Sequence, residues 1–104
     1  MKESDWKQFK KIKEQALDKF CRDALAEFEA LITDKTQSAH QRYLNLYQRV
    51  RERDKELARV FDDHSRSKAP LQLGALRMRG LVPEELVGQL SQELQESTNP
   101  GHHE

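Results

Sequence analysis

For almost thirty residues after Asp5 the chain has neither glycine nor proline, while apolar side chains recur every three or four positions. They are Trp6, Phe9, Ile12, Ala16, Leu17, Phe20, Ala24, Leu25, Phe28, Leu31 and Ile32. This is the spacing of residues that share a helix face. It predicts one helix over about 5–33, opened by Ser4 or Asp5, either of which can accept a bond from the free amides of the first turn. At about 100° per residue these side chains cover more than half the circumference, wider than the roughly 100° stripe of a helix with one neighbour. Such a helix has to be covered from at least two directions.

The apolar spacing stops at "TDKTQSAHQ", a run of turn-favouring polar residues. Ser38 followed three positions later by Gln41 has the form of a capping box, so a second helix is expected over about 39–64. At 1.5 Å per residue the two helices are each roughly 40 Å long, and their short polar connection favours an antiparallel hairpin with coiled-coil-like packing. Pro70 suits the first turn of a short helix over about 69–79, which Gly80 and the apolar Leu81 can end in a Schellman motif. Pro83, Glu84 and Glu85 read as the first turn of a last helix over about 83–96, with one stripe of Leu86, Val87, Leu90 and Leu94. Nowhere do β-branched and aromatic residues alternate with polar ones over a strand's length. The expected fold is all-α, a single helical domain over 1–96 with a flexible tail over 97–104.

Only 36% of the chain is apolar and 35% is charged, against a usual share of about 45–50% and about 25%. A core built from so little apolar surface is thin, and the two short helices cover only part of a long hairpin. The pattern therefore predicts that the chain pairs with a second copy of itself.

Charge is segregated along the chain although it sums to zero. Residues 1–34 carry −1, residues 35–82 carry +6, and residues 83–104 carry −5. A basic middle can meet an external anion or be complemented from within, the acidic last helix being one candidate. The polyanion reading assigns Arg49, Arg53, Arg66, Lys68, Arg77 and Arg79 to phosphates. A helix-turn-helix version fails, because the helix that should read bases carries Glu84, Glu85, Glu93 and Glu96 and no Lys or Arg.

Tyr47, Val50, Leu57 and Phe61 of the second helix follow a repeating four-three spacing, Asp54 occupies the position that completes it between Val50 and Leu57, and Tyr43 and Leu46 lie on the same side of the helix. His40, Tyr47, Asp54 and Phe61 stand seven apart, with Arg51 one turn before Asp54. The preferred reading makes His40, Tyr47, Arg51 and Asp54 a polar element of the helix seam, which fixes register as a buried polar group does in coiled coils. The alternatives are a boundary position open to water and, last, a ligand or catalytic carboxylate.

The helix over 69–79 is apolar nearly all round and carries the expected docking residues Leu71, Leu73, Leu76 and Met78. The single Cys21 excludes an internal disulfide and falls within the apolar arc of the first helix, where it reads as a small core residue. The histidines lack the three- or four-residue spacing of ligands on one helix, so no metal is expected. No cofactor is expected either, since the scattered glycines match no phosphate loop. With no apolar run near membrane-spanning length and no signal-peptide pattern, the chain is expected to be cytoplasmic. No acid, base and nucleophile converge, so the expectation is a non-enzymatic interaction module, an adaptor or regulatory subunit that pairs with itself and with another protein. Nucleic-acid or polyanion binding through 35–82 is the alternative.

Overall fold

The computed structural model describes residues 1–103, and it is all-α. Helix α1 spans Glu3–Ile32 and α2 spans Ala39–Phe61, packed together as a hairpin. A 3-10 turn at Arg66–Lys68 leads into α3, Ala69–Met78. Two short helices follow, α4 at Glu84–Val87 and α5 at Gln92–Ser97, and a 3-10 turn at Pro100–His103 ends the described chain.

The connections show why the helices stop where they do. At the hairpin turn the Thr33 amide and hydroxyl both donate to the Glu29 carbonyl, and Asp34 Oδ1 accepts from the Thr36 amide at 3.1 Å and its hydroxyl at 2.6 Å. Ser38 Oγ then accepts the Gln41 amide at 3.0 Å, as the capping box requires. The reciprocal half is missing, because the Gln41 side chain donates to Asn45 Oδ1 at 2.8 Å instead. Gly80, at φ +70°, ends α3 in a full Schellman motif. Its amide donates to the Arg77 carbonyl at 3.0 Å, and the Leu81 amide donates to the Leu76 carbonyl at 3.1 Å.

Four boundaries differ from the sequence expectation, the first being that α2 stops at Phe61 instead of running to about residue 64. The segment over 83–96 is two short helices, because Ser91 begins a new one by accepting the Leu94 amide after the turn through Gly88. Helix α1 starts at Glu3 from Lys2, whose ammonium cannot accept a bond, so it has no side-chain cap, and the expected caps Ser4 and Asp5 lie inside its first turn. Asp5 is buried and accepts the Ser91 amide at 2.8 Å and the Ser91 hydroxyl at 2.6 Å, so it holds the start of α5. The segment expected as a tail from residue 97 is packed at its start. Thr98 is buried, donates to the Leu94 carbonyl at 2.7 Å and accepts from Arg77 at 2.9 Å.

The core lies at the open end of the hairpin. Phe9, Ile12, Ala16 and Phe20 of α1 meet Val60 and Phe61 of α2 there, and Ala69, Leu73, Leu76, Leu81, Val87, Leu90 and Leu94 close over them. Phe20 and Phe61 meet edge to face at 5.8 Å. Beyond Ala24 no residue of α1 is buried, and on α2 only Val60 and Phe61 are. The turn half of the hairpin thus projects with no third helix against it. The radius of gyration is 16.8 Å, against about 13 Å for a compact domain of this length. Among the described residues no helix is long and apolar enough to cross a membrane.

Candidate interaction surfaces

The projecting hairpin has two unlike sides, set by which residues of each helix flank the contact line. On one side Glu27 of α1 is clamped by Arg49 and Arg53 of α2, with Arg53 Nε 3.1 Å from Glu27 Oε2. Arg53 also pairs with Glu56 at 2.9 Å, and Glu56 pairs with Arg79 beyond α3. The Arg49 hydrogen bond, with help from Arg53, holds the Glu27 carboxyl below the usual carboxylate range, and Glu27 in turn raises the pKa of Arg53. This side is an ion-pair ladder that joins α1, α2 and the end of α3.

The other side is an open apolar groove of about 320 Å³. From α1 it is lined by Phe20, Cys21, Ala24, Leu25 and Phe28, and from α2 by Val50, Arg53, Asp54 and Leu57. At about 100° per residue, Leu17 and Ile32 extend the α1 wall, while Tyr43 and Tyr47 extend the α2 wall toward the turn. Tyr43 is 67% exposed and Leu25 63%. Large apolar side chains are rarely left this open in a continuous strip on a monomer.

The seam residues do not form a buried seam within the chain. His40, Tyr47, Arg51 and Asp54 are all exposed, because the contact face of α2 is turned toward Leu46, Arg49, Arg53 and Leu57. Their column faces the open side. Within it the Arg51 guanidinium lies 5.7 Å from the centre of the Tyr47 ring. Asp54 stands at the groove with the four-three column on either side of it.

The expected docking set on α3 splits in two. Leu73 and Leu76 are 0% exposed and form the centre of the core, so they offer nothing to a partner. The reason is topological: α3 crosses the open end of the hairpin and turns this pair inward against Phe9, Ile12 and Phe61. Leu71 and Met78 are 78% and 68% exposed. They flank a second apolar cleft of about 510 Å³, shared with Pro70, Gly74, Ala75, Ser97, Thr98 and Pro100.

All six candidate phosphate-binding residues have partners inside the chain. Arg49, Arg53 and Arg79 belong to the ladder. Arg66 pairs with Glu3 at 2.8 Å and lies 6.0 Å from the Trp6 ring, and Lys68 pairs with Asp63 at 3.7 Å. Arg77 donates to the Gln95 carbonyl at 2.7 Å and to the Thr98 hydroxyl. The complementing acids come from α1, α2 and the loop after it, rather than from the acidic segment over 83–96. Lys13 is another internally engaged cation. It donates to the Asp63 carbonyl at 2.8 Å and contacts His64 Nδ1 at 3.0 Å, and burial lowers its pKa against the pull of Asp63 and Asp62.

Among the described residues no three His, Cys, Asp or Glu side chains are grouped to hold a metal ion. The over-wide apolar arc of the first helix was the sequence signal for this groove, whereas its other wall, on α2, was not singled out as a surface. Comparison of the chain with protein-family models, curated proteins and solved structures gave no match. The functional reading rests on the geometry alone.

Proposed function

We propose that this chain is a non-enzymatic helical interaction module that works as a self-associated pair, with two hairpins packed apolar side to apolar side. The observation that carries this reading is the uncovered groove between α1 and α2. Leu17, Leu25, Ile32, Tyr43, Tyr47 and Val50 leave on the order of 600 Å² open per chain, taking their exposed fractions of roughly 150–250 Å² for a tyrosine and somewhat less for an aliphatic side chain. Two such faces together bury about 1,200 Å², the lower end of specific interfaces. The ladder on the opposite side supports the same choice. Its charges are already satisfied within the chain, so joining there would displace pairs without burying apolar surface.

Sedimentation equilibrium through the micromolar range tests this. The expected result is a reversible dimer that Leu25→Glu combined with Val50→Glu converts to a monomer of unchanged helicity. Both positions are exposed in the single chain, so the substitutions leave its core intact. A wild-type chain that remains monomeric throughout overturns the reading.

A further inference from the structure

The proposed self-association leaves open how the two copies are aligned, and the geometry points to one pairing. The hairpins lie with their turns at opposite ends, and the Asp54 carboxylate of each chain accepts the Tyr43 hydroxyl of the other. This inference rests on the reading above, and it fixes the second copy as the occupant of the groove together with the residues that set its register.

Two face-to-face arrangements have two-fold symmetry. With both turns at the same end, α2 lies on the second copy's α1 and heights along the hairpin are preserved. Asp54 shares its height with Cys21, Ala24 and Leu25, which line the groove beside it. In that arrangement the carboxylate is pressed onto the same apolar stretch of the second copy's α1, where Cys21, Ala24 and Leu25 offer no hydroxyl, amide or cation, and the one cation that lines the groove, Arg53, is already held by Glu27 and Glu56. Burying a charge without a partner is strongly unfavourable.

With the turns at opposite ends, α2 lies antiparallel on the second copy's α2, and facing positions have a constant sum. The exposed part of the four-three column runs from Tyr43 to Asp54. It pairs wholly with itself only when its midpoint lies on the two-fold axis. Asp54 then faces Tyr43, Tyr47 faces Val50, and His40 at the turn faces Leu57 near the base. A phenol donates one hydrogen bond and a carboxylate accepts it, so the charge gains a charge-assisted bond. Arg51, beside Tyr47, stays at the rim with its cation near the same seam. A slip of one seven-residue repeat sets Asp54 against Val50, which cannot donate.

The test keeps both proposed partners intact. In a Cys21→Ser background, one preparation carries His40→Cys and another carries Leu57→Cys, and the two are mixed and treated with a short bis-maleimide. The expected result is a covalent dimer in the mixture and little in either preparation alone, because 40 and 57 face each other only across the antiparallel pair. In the wild-type chain, Tyr43→Phe should raise the dimer dissociation constant about ten- to a hundredfold, the effect of leaving a buried acceptor without its donor. Dimers by sedimentation with no cross-link in the mixture, or an unchanged dissociation constant for Tyr43→Phe, would overturn the pairing and leave self-association standing. A monomeric wild-type chain rejects both.

Discussion

Removing one carboxylate near the start of the chain should loosen its far end. Asp5 is buried and bonds the Ser91 amide at 2.8 Å and the Ser91 hydroxyl at 2.6 Å, across 86 positions of sequence. In Asp5→Ala both donors lose a charged acceptor, and Ser91, the N-cap of α5, loses what holds it in place. A hydrogen bond to a charged group is worth about 1.5–3 kcal/mol. Two bonds sharing one carboxylate are not additive, so about 3 kcal/mol is the expected cost for the site. At about 4–8 °C per kcal/mol in a domain near this size, the melting temperature should fall by roughly 12–24 °C. Asp5→Asn keeps one acceptor oxygen and should lose about half as much. Thermal denaturation by circular dichroism at fixed concentration measures both, and a double-mutant cycle with Ser91→Ala should show coupling above about 1 kcal/mol. A fall of under about 3 °C for Asp5→Ala would refute the idea that this contact holds the C-terminal helices to α1.

Two further outcomes follow from the core and the ladder. Leu73→Ala should cost about 2–5 kcal/mol as a cavity in a closed core, whereas Leu71→Ala and Met78→Ala should each stay within about 0.5 kcal/mol, as chemical denaturation will show. Glu27 has a folded pKa below its unfolded one, so the stability it contributes is present above the unfolded value of about 4.3. That contribution is lost as pH falls through the folded value. Glu27→Gln should therefore flatten the acid limb of a stability-versus-pH curve and reduce its salt dependence, and an unchanged limb would refute the role of the Arg49 and Arg53 clamp.

What the sequence made legible was local. The three-and-four spacing over Trp6–Ile32, the cap at Ser38 and the left-handed glycine at 80 all depend on neighbours within a few positions, and each appears in the fold. Asp5 was misread because its partner lies 86 positions away, and nothing near it marks it as the support of a distant helix. Ser91 was overlooked because the apolar stripe from Leu86 to Leu94 continues across the break, although Gly88 inside that run was a usable warning. Helix α3 shows a different limit. Its apolar residues point all round, so the choice of Leu73 and Leu76 for the core over Leu71 and Met78 was made by where the hairpin lay. The α2 column shows the same limit, since a four-three seam reads alike whether it faces its own chain or another copy. The six basic residues show the distinction in electrostatic form: net charge by segment was visible, but the acids of five were spread over α1, α2 and the loop after it, and Arg77 met a carbonyl and a hydroxyl.

A carboxylate in an otherwise apolar strip makes sense as a penalty on wrong pairings. A strip of only Leu, Val and Tyr would associate at any offset that buries area, because apolar attraction has no direction. Asp54 changes this, since every alignment that seals it against an aliphatic side chain leaves a charge unpaired, while the alignment with Tyr43 gives it a donor. In the proposed pairing the device would lower the number of tolerated registers at some cost in affinity. Asp54→Leu should therefore retain helicity and dimerisation and raise the melting temperature, in keeping with buried ionic groups whose apolar replacements are neutral or stabilising by about 1–4 kcal/mol. The same substitution should spread the cross-links, so that the His40→Cys and Leu57→Cys mixture loses yield to pairs offset by one helical repeat. If Asp54→Leu changes neither melting temperature nor cross-link pattern, the carboxylate faces water in the assembled state, and the register is set by the aromatic side chains alone.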